Sequence, residues 1–226
     1  MKILLFGATG MVGQGVLREC LNATDVELVQ TVGRTSTGQR HPKLREVVQK
    51  DLFDYSGVES SLQGFDACFF CLGISSAGMT EAQYRHVTYD LTLAAASVLA
   101  RLNPGMTFVY VSGSGTDSTE KGRSMWARVK GATENALLRL PFKAVYLFRP
   151  GAIQPLHGIR SKTALYRVLY VVLAPVFGIA RRLAPRWVLT TENLGQAMLA
   201  AARRGSGREV LEPPAIYAIA NEAQRG

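Results

Sequence analysis

Seven residues near the start of the chain, Gly7-Ala8-Thr9-Gly10-Met11-Val12-Gly13, constrain the fold more than any other stretch. They follow the apolar, strand-forming run Ile3–Phe6 and lead into Val12–Cys20, which is rich in helix formers. A strand that turns into a helix within so few residues needs a position without a β-carbon, and Gly7 supplies it. Gly10 lets a ligand approach the main chain, and Gly13 lets the helix lie close against the sheet. The first N–H groups of a helix have no partner within it and stand at the positive end of its dipole. The arrangement predicts a phosphate cradle in which Gly7, Thr9, Gly10, Met11, Val12 and Gly13 hold a dinucleotide's diphosphate. A glycine-rich turn without a ligand is the alternative.

Further β-rich runs recur at Leu28–Val32, Val47–Val48, Ala67–Leu72, Phe108–Val111 and Val145–Phe148. Helix-like segments lie between them, notably Glu81–Leu102 and Met125–Leu140. Such alternation predicts an α/β fold of the Rossmann type, a doubly wound parallel sheet with helices on both faces. A length of 226 residues suits a single domain. Its cofactor part is expected over about residues 1–155, with a small substrate-side region after it. Thr191-Glu192-Asn193-Leu194 reads as the capped start of a final helix ending near Gly205.

Charge is unevenly spread. Residues 1–115 carry a net charge of −1 and residues 116–226 one of +10, and no acid stands between Glu134 and Glu192. Nine cations, Arg149, Arg181 and Arg182 among them, fall in that interval and predict a field that favours an anionic ligand or surface. Within it Val168–Ala180 is almost continuously apolar, too short to span a bilayer. A buried helix or subunit interface is expected there, with a peripheral membrane contact as the alternative. No aromatic-interleaved basic stripe points to nucleic acid.

Three cysteines, Cys20, Cys68 and Cys71, and a start without a signal peptide's apolar core predict a reducing, cytoplasmic location. The two-residue period of a strand puts Cys68 and Cys71 on opposite sheet faces, as core residues rather than a metal or redox pair. His41, His86 and His157 are singly placed, which argues against a metal centre, and only His157 falls beside the expected cleft. Ser114 lacks the glycine at position 112 that a nucleophile elbow requires, because Ser112 stands there.

The loop's spacing resembles the extended and atypical branches of the short-chain dehydrogenase/reductase superfamily, whose members often read G-A-T-G-x-x-G. The resemblance extends to Asp51-Leu52 after the third strand, to Cys71-Leu72-Gly73 after the fourth, and to Arg149-Pro150-Gly151-Ala152-Ile153. It implies that Asp51 and Leu52 lie at the adenine, Leu72 and Gly73 along the cofactor, and Pro150 and Gly151 beside the nicotinamide. Nucleotide-sugar-epimerase-like members and the small Tat-interacting-protein group of oxidoreductases are the most similar overall.

At the end of the second strand Thr31-Val32-Gly33-Arg34 offers no acid to a ribose 2′-hydroxyl. Arg34 stands there instead and predicts NADP in preference to NAD, with Arg40 or Lys43 assisting. In the family a serine and a Y-x-x-x-K do the chemistry. Ser112 and Ser114 both follow the fifth strand, Ser114 aligning best, and Lys130 matches the lysine; the resemblance makes Ser114 and Lys130 catalytic and gives Lys130 the nicotinamide ribose as well. Four residues before Lys130 stands Trp126, whose indole donates a hydrogen bond but does not exchange a proton near neutral pH. Either another hydroxyl, from Tyr84, Tyr89 or Tyr166, replaces the tyrosine, or Ser114, Thr116 and Lys130 polarise the substrate while solvent gives the proton. The reading is an NADP-dependent oxidoreductase-like protein acting on a small carbonyl, quinone or flavin-like molecule. A non-catalytic NADP sensor and a nucleotide-sugar epimerase or dehydratase are the alternatives. Glu81–Leu102 and Met125–Leu140 occupy the positions through which superfamily members often form homodimers.

Overall fold

Alternating apolar residues in β1 (Lys2–Phe6) place Ile3 and Leu5 on one side of a sheet and Leu4 and Phe6 on the other, all four fully buried. A strand buried on both faces belongs inside a parallel sheet covered by helices on both sides. The computed structural model describes residues 1–159 and 184–225 and has that architecture. The further strands of the main sheet are β2 (Leu28–Gly33), β3 (Leu44–Val48), β4 (Ala67–Phe70), β5 (Thr107–Val111), β6 (Ala144–Phe148) and β9 (Val210–Leu211). They run parallel in the order β3-β2-β1-β4-β5-β6-β9. The order reverses between β1 and β4, which opens a crevice beyond their carboxyl ends.

One face is covered by α1 (Met11–Asn22), α5 (Thr191–Arg204) and α6 (Pro213–Arg225), the other by α3 (Leu91–Leu102) and α4 (Met125–Leu137). Helices α1 and α5 cross closely. A β-carbon on Gly15 would stand 2.5 Å from that of Thr191, and one on Gly195 would stand 2.8 Å from that of Glu19. Cys68 packs in the α3/α4 core and Cys71 against the α1/α5 core, as the strand period predicts. All three cysteines are free thiols, and burial pushes each of their pKa values up.

Several boundaries differ from the sequence reading. β3 starts at Leu44 rather than Val47, because an edge strand tolerates the exposed Arg45 and Glu46. The α5 cap is Thr190, whose hydroxyl accepts the Asn193 N–H at 3.0 Å while Asn193 Oδ1 accepts the Thr190 N–H at 3.1 Å. That helix is not the last, since β9 and α6 follow. A small parallel pair, β7 (Ala152–Gln154) and β8 (Val188–Thr190), flanks the crevice. Glu81–Leu102 is one helical run, α2 (Glu81–Arg85) joining α3 through a π-turn at His86–Asp90. The apolar segment Val168–Ala180 and five of the nine cations of the basic interval lie outside the described residues.

Arg149 does not contribute to a basic field. It is 9% exposed at the end of β6, and its Nε donates to both oxygens of Glu134 on α4, at 3.0 and 3.2 Å, while Nη2 bonds the same carboxylate. Nη2 also donates to Ser118 Oγ at 2.6 Å, and Nη1 to Glu212 just before α6 at 3.3 Å. The guanidinium thereby ties α4, the loop after β5 and the start of α6 to one strand end. Removing one partner leaves a buried charge uncompensated, at about 3–5 kcal/mol. Glu134→Leu is therefore expected to lower the melting temperature by roughly 10 °C, and Glu134→Leu with Arg149→Met by less than either single change, as thermal unfolding followed by circular dichroism will show.

Candidate active site

The first turn of the chain has the geometry of an anion cradle. Gly7 takes φ = +78°, and a β-carbon there would stand 2.7 Å from the Cys71 carbonyl and 2.8 Å from the Leu72 nitrogen. The β1–α1 loop thus lies against the end of β4 at the switch point. A β-carbon on Gly13 would overlap the Gly7 carbonyl and stand 2.6 Å from its carbon, so the helix can start this close to the loop only with glycine. The Gly10 N–H donates to the Gly7 carbonyl at 2.9 Å, and Gln14 N–H to Gly10 O at 2.9 Å is the first helical bond. The N–H groups of Met11, Val12 and Gly13 precede it and have no acceptor within the helix. Gln14 Nε2 braces the loop through the Thr9 carbonyl at 3.1 Å. Gly10 is less crowded, its imagined β-carbon meeting only the Gly7 carbonyl, at 3.3 Å. These positions fit a bound diphosphate, because glycine at 7 and 13 lets strand, loop and helix close together behind a turn whose N–H groups have no helical acceptor.

Residues from the neighbouring strand ends surround this loop. Arg34, after β2, is exposed and forms no ion pair among the described residues. Lys43 is not available beside it: its ammonium donates to the carbonyls of Leu21 and Ala23 at 3.3 and 2.7 Å and caps the end of α1. Asp51 is exposed and accepts the Phe53 N–H at 2.9 Å, whereas the Leu52 side chain is buried in the α3/α4 core with Tyr55 and Phe6. Leu72 is half-buried and Gly73 exposed.

The loop after β5 resolves the choice between its serines. Thr116 Oγ1 donates its proton to the Gly113 carbonyl at 2.7 Å, so the 3.0 Å contact with Ser112 Oγ uses the Ser112 proton. Ser112 is buried and committed, while Ser114 is exposed and its hydroxyl makes no hydrogen bond among the described residues. The Ser114 N–H donates to Pro150 O at 3.0 Å, and a β-carbon on Gly151 would stand 3.9 Å from that of Ser114. Ser114, Pro150 and Gly151 are therefore brought together.

Helix α4 meets the same loop twice. The six-membered ring of Trp126 lies over Gly113 and Gly115, 3.6–3.8 Å from imagined β-carbons there, and Gly131 admits the Asp117 carbonyl group. Between those contacts, and on the face of Trp126, stands Lys130. Its ammonium lies 3.5 Å from the Tyr110 hydroxyl on β5, and burial pushes its pKa down to about 8, partly opposed by the Glu134 carboxylate. Sequence reasoning missed Tyr110, which reads as one more apolar strand residue. The hydroxyls considered as replacements for a tyrosine at 126 differ in placement. Tyr84 is 2% exposed, Tyr89 carries the Arg85 guanidinium 4.0 Å above its ring, and Tyr166 lies outside the described residues. His157, at φ = +56°, holds Glu192 at 2.9 Å through Nε2. No group of three metal-ligating side chains occurs among the described residues.

A Rossmann-type sheet with a glycine cradle at its switch point defines a dinucleotide-binding protein. Residues 7–138 match the NAD(P)H-binding family, and the chain belongs to it. It is 27% identical over 217 residues to protein fmp52, mitochondrial, of Emericella nidulans, covering 92% of this chain and 90% of that one. It is 30% identical over 155 residues to protein FMP52, mitochondrial, of Eremothecium gossypii, covering 68% and 66%. Among solved structures it resembles WbmF of Bordetella bronchiseptica in complex with NAD+, with a TM-score of 0.67, 16% identity and coverage of 99% and 77%. It also resembles a short-chain dehydrogenase/reductase family oxidoreductase from Burkholderia thailandensis, with a TM-score of 0.65, 15% identity and coverage of 100% and 97%. The likeness to short-chain dehydrogenases/reductases and epimerases read from the loop therefore holds for the fold. The relatives' names overturn the cytoplasmic expectation, because free thiols separate oxidising from reducing compartments without choosing among the reducing ones.

The lysine has a measurable consequence for stability. A lysine ordinarily titrates at 10.5, and burial lowers Lys130 to about 8, so between these values the folded chain binds fewer protons than the unfolded one. Stability from this group therefore rises with pH from about 8 to 10.5 and is lost as pH falls through the folded value. Urea midpoints at pH 7.5 and pH 10 are expected to show this rise in the wild type and not in Lys130→Met.

Proposed function

We propose that the chain is an NADP-dependent reductase of the atypical short-chain dehydrogenase/reductase type, acting on a small carbonyl, quinone or flavin-like molecule. The observation that carries this reading is the Gly7–Gly13 cradle, pressed against the end of β4, with the N–H groups of Met11, Val12 and Gly13 lacking a helical acceptor. Thr9, Gly10, Met11, Val12 and Gly13 would hold the diphosphate through the main chain. Arg34 would meet the 2′-phosphate, with a guanidinium's forked donors matching its oxygens. Asp51 would face the adenine, and Leu72, Gly73, Pro150 and Gly151 the nicotinamide side. When bound, the cofactor supplies a hydride. The uncommitted Ser114 hydroxyl would donate a hydrogen bond to the substrate oxygen, and Lys130 would bind the ribose and add positive charge near that oxygen.

A second reading, a non-catalytic NADP sensor, draws on Trp126, because an indole in that place offers a donor and no exchangeable proton. Purified protein mixed with NADPH and a panel of quinones, flavins and aldehydes separates the two. Turnover that falls at least tenfold in Ser114→Ala or Lys130→Ala supports the reductase, and saturable NADPH binding without oxidation across the panel supports the sensor. Cofactor choice is tested by calorimetry. A hydrogen bond to a charged group contributes about 1.5–3 kcal/mol, so Arg34→Ala is expected to weaken NADPH binding by roughly 10- to 100-fold while leaving NADH nearly unchanged.

A further inference from the structure

The hydroxyl that faces Lys130 belongs to a buried network whose protons can be assigned. Tyr110 is 1% exposed, and the hydroxyl groups of Thr92 on α3 and Thr133 on α4 stand near its oxygen. Thr92 Oγ1 gives its only proton to the Thr88 carbonyl at 2.5 Å, and Thr133 Oγ1 gives its own to the Val129 carbonyl at 2.8 Å. Both threonines therefore have only lone pairs to offer Tyr110. The Lys130 ammonium donates toward the Tyr110 oxygen at 3.5 Å, so the phenol is the acceptor in that contact. No other hydrogen-bond partner of that ammonium occurs among the described residues.

We infer that Tyr110 is a positioning residue, an acceptor that holds the Lys130 ammonium at the end of β5 in its charged form. The inference concerns the lysine assigned above and rests on that reading for its catalytic meaning. Among the described residues the Glu134 carboxylate also favours the ammonium, through space rather than by a hydrogen bond to it. Glu134, one turn further along α4, is bonded to Arg149; on α2, Glu81 is paired with Arg128, and Tyr84 is a neutral phenol near Tyr110. The two threonines matter because each fixes its hydroxyl as an acceptor. If either donated to Tyr110 instead, the phenol could turn its proton toward the lysine and favour the neutral amine.

Competitive labelling of the free amine across pH 6–11, read by mass spectrometry on the peptide containing Lys130, tests the inference without cofactor or substrate. In the wild type the midpoint should fall near 8. In Tyr110→Phe, which keeps the ring and deletes the acceptor, the midpoint should drop by about one pH unit, with roughly tenfold faster labelling at pH 6.5. A ring with a merely structural role gives the opposite or no result: looser packing hydrates the amine and moves the midpoint up toward 10.5, and an indifferent hydroxyl leaves it in place. Either outcome overturns the inference. Thr133→Ser, which keeps the hydroxyl, should leave the midpoint unchanged. NADPH titration of the same samples reads the functional proposal separately, since failure to bind cofactor would leave the labelling result standing.

Discussion

The β1–α1 loop can lie where it does only because two residues lack a β-carbon. Gly7 lets the chain leave β1 against the carbonyl of Cys71, and Gly13 lets the helix begin on top of Gly7 itself. Everything about the crevice follows from that contact. It brings the first turn of α1, with N–H groups that have no helical acceptor, to the point where strand order reverses and no crossover helix covers the sheet edge. The remaining candidate residues come from the ends of β2, β3, β4, β5 and β6, delivered by the parallel register of the same sheet, and from α4.

A second level of order is buried and polar. Arg149 gathers Glu134, Ser118 and Glu212, and Tyr110 gathers Thr92, Thr133 and Lys130. These groups hold α4 against the loop that carries Ser114, so the exposed serine and the half-buried lysine are set by side chains that do not themselves face the crevice. Trp126 contributes to the same end by covering Gly113 and Gly115. The site is therefore supported by buried polar contacts, and burial of its lysine lowers that group's pKa.

Much of this was legible in the sequence, for physical reasons that differ by element. Continuous apolar runs disclosed β1, β4, β5 and β6 because those strands are buried on both faces. β3 was read short because Arg45 and Glu46 face solvent on an edge, and the two-residue strand β9 leaves too little pattern to detect. Helix α6 was missed although Pro213-Pro214 is a recognisable helix start, since proline fits the first turn, where no N–H is needed. The Arg149 cluster joins residues 15 and 63 positions apart, a pairing that no local pattern encodes. Lys43 was misassigned because a lysine near a loop does not reveal that unsatisfied carbonyls at the end of a neighbouring helix will claim it.

The central claim is that main-chain amides of the first turn bind a dinucleotide's diphosphate, and amide hydrogen exchange reads those groups directly. Adding saturating NADPH should slow exchange at Met11, Val12 and Gly13 well beyond any change in the strands of the sheet. Unchanged exchange at these three amides, with the cofactor present at millimolar concentration, would contradict the account.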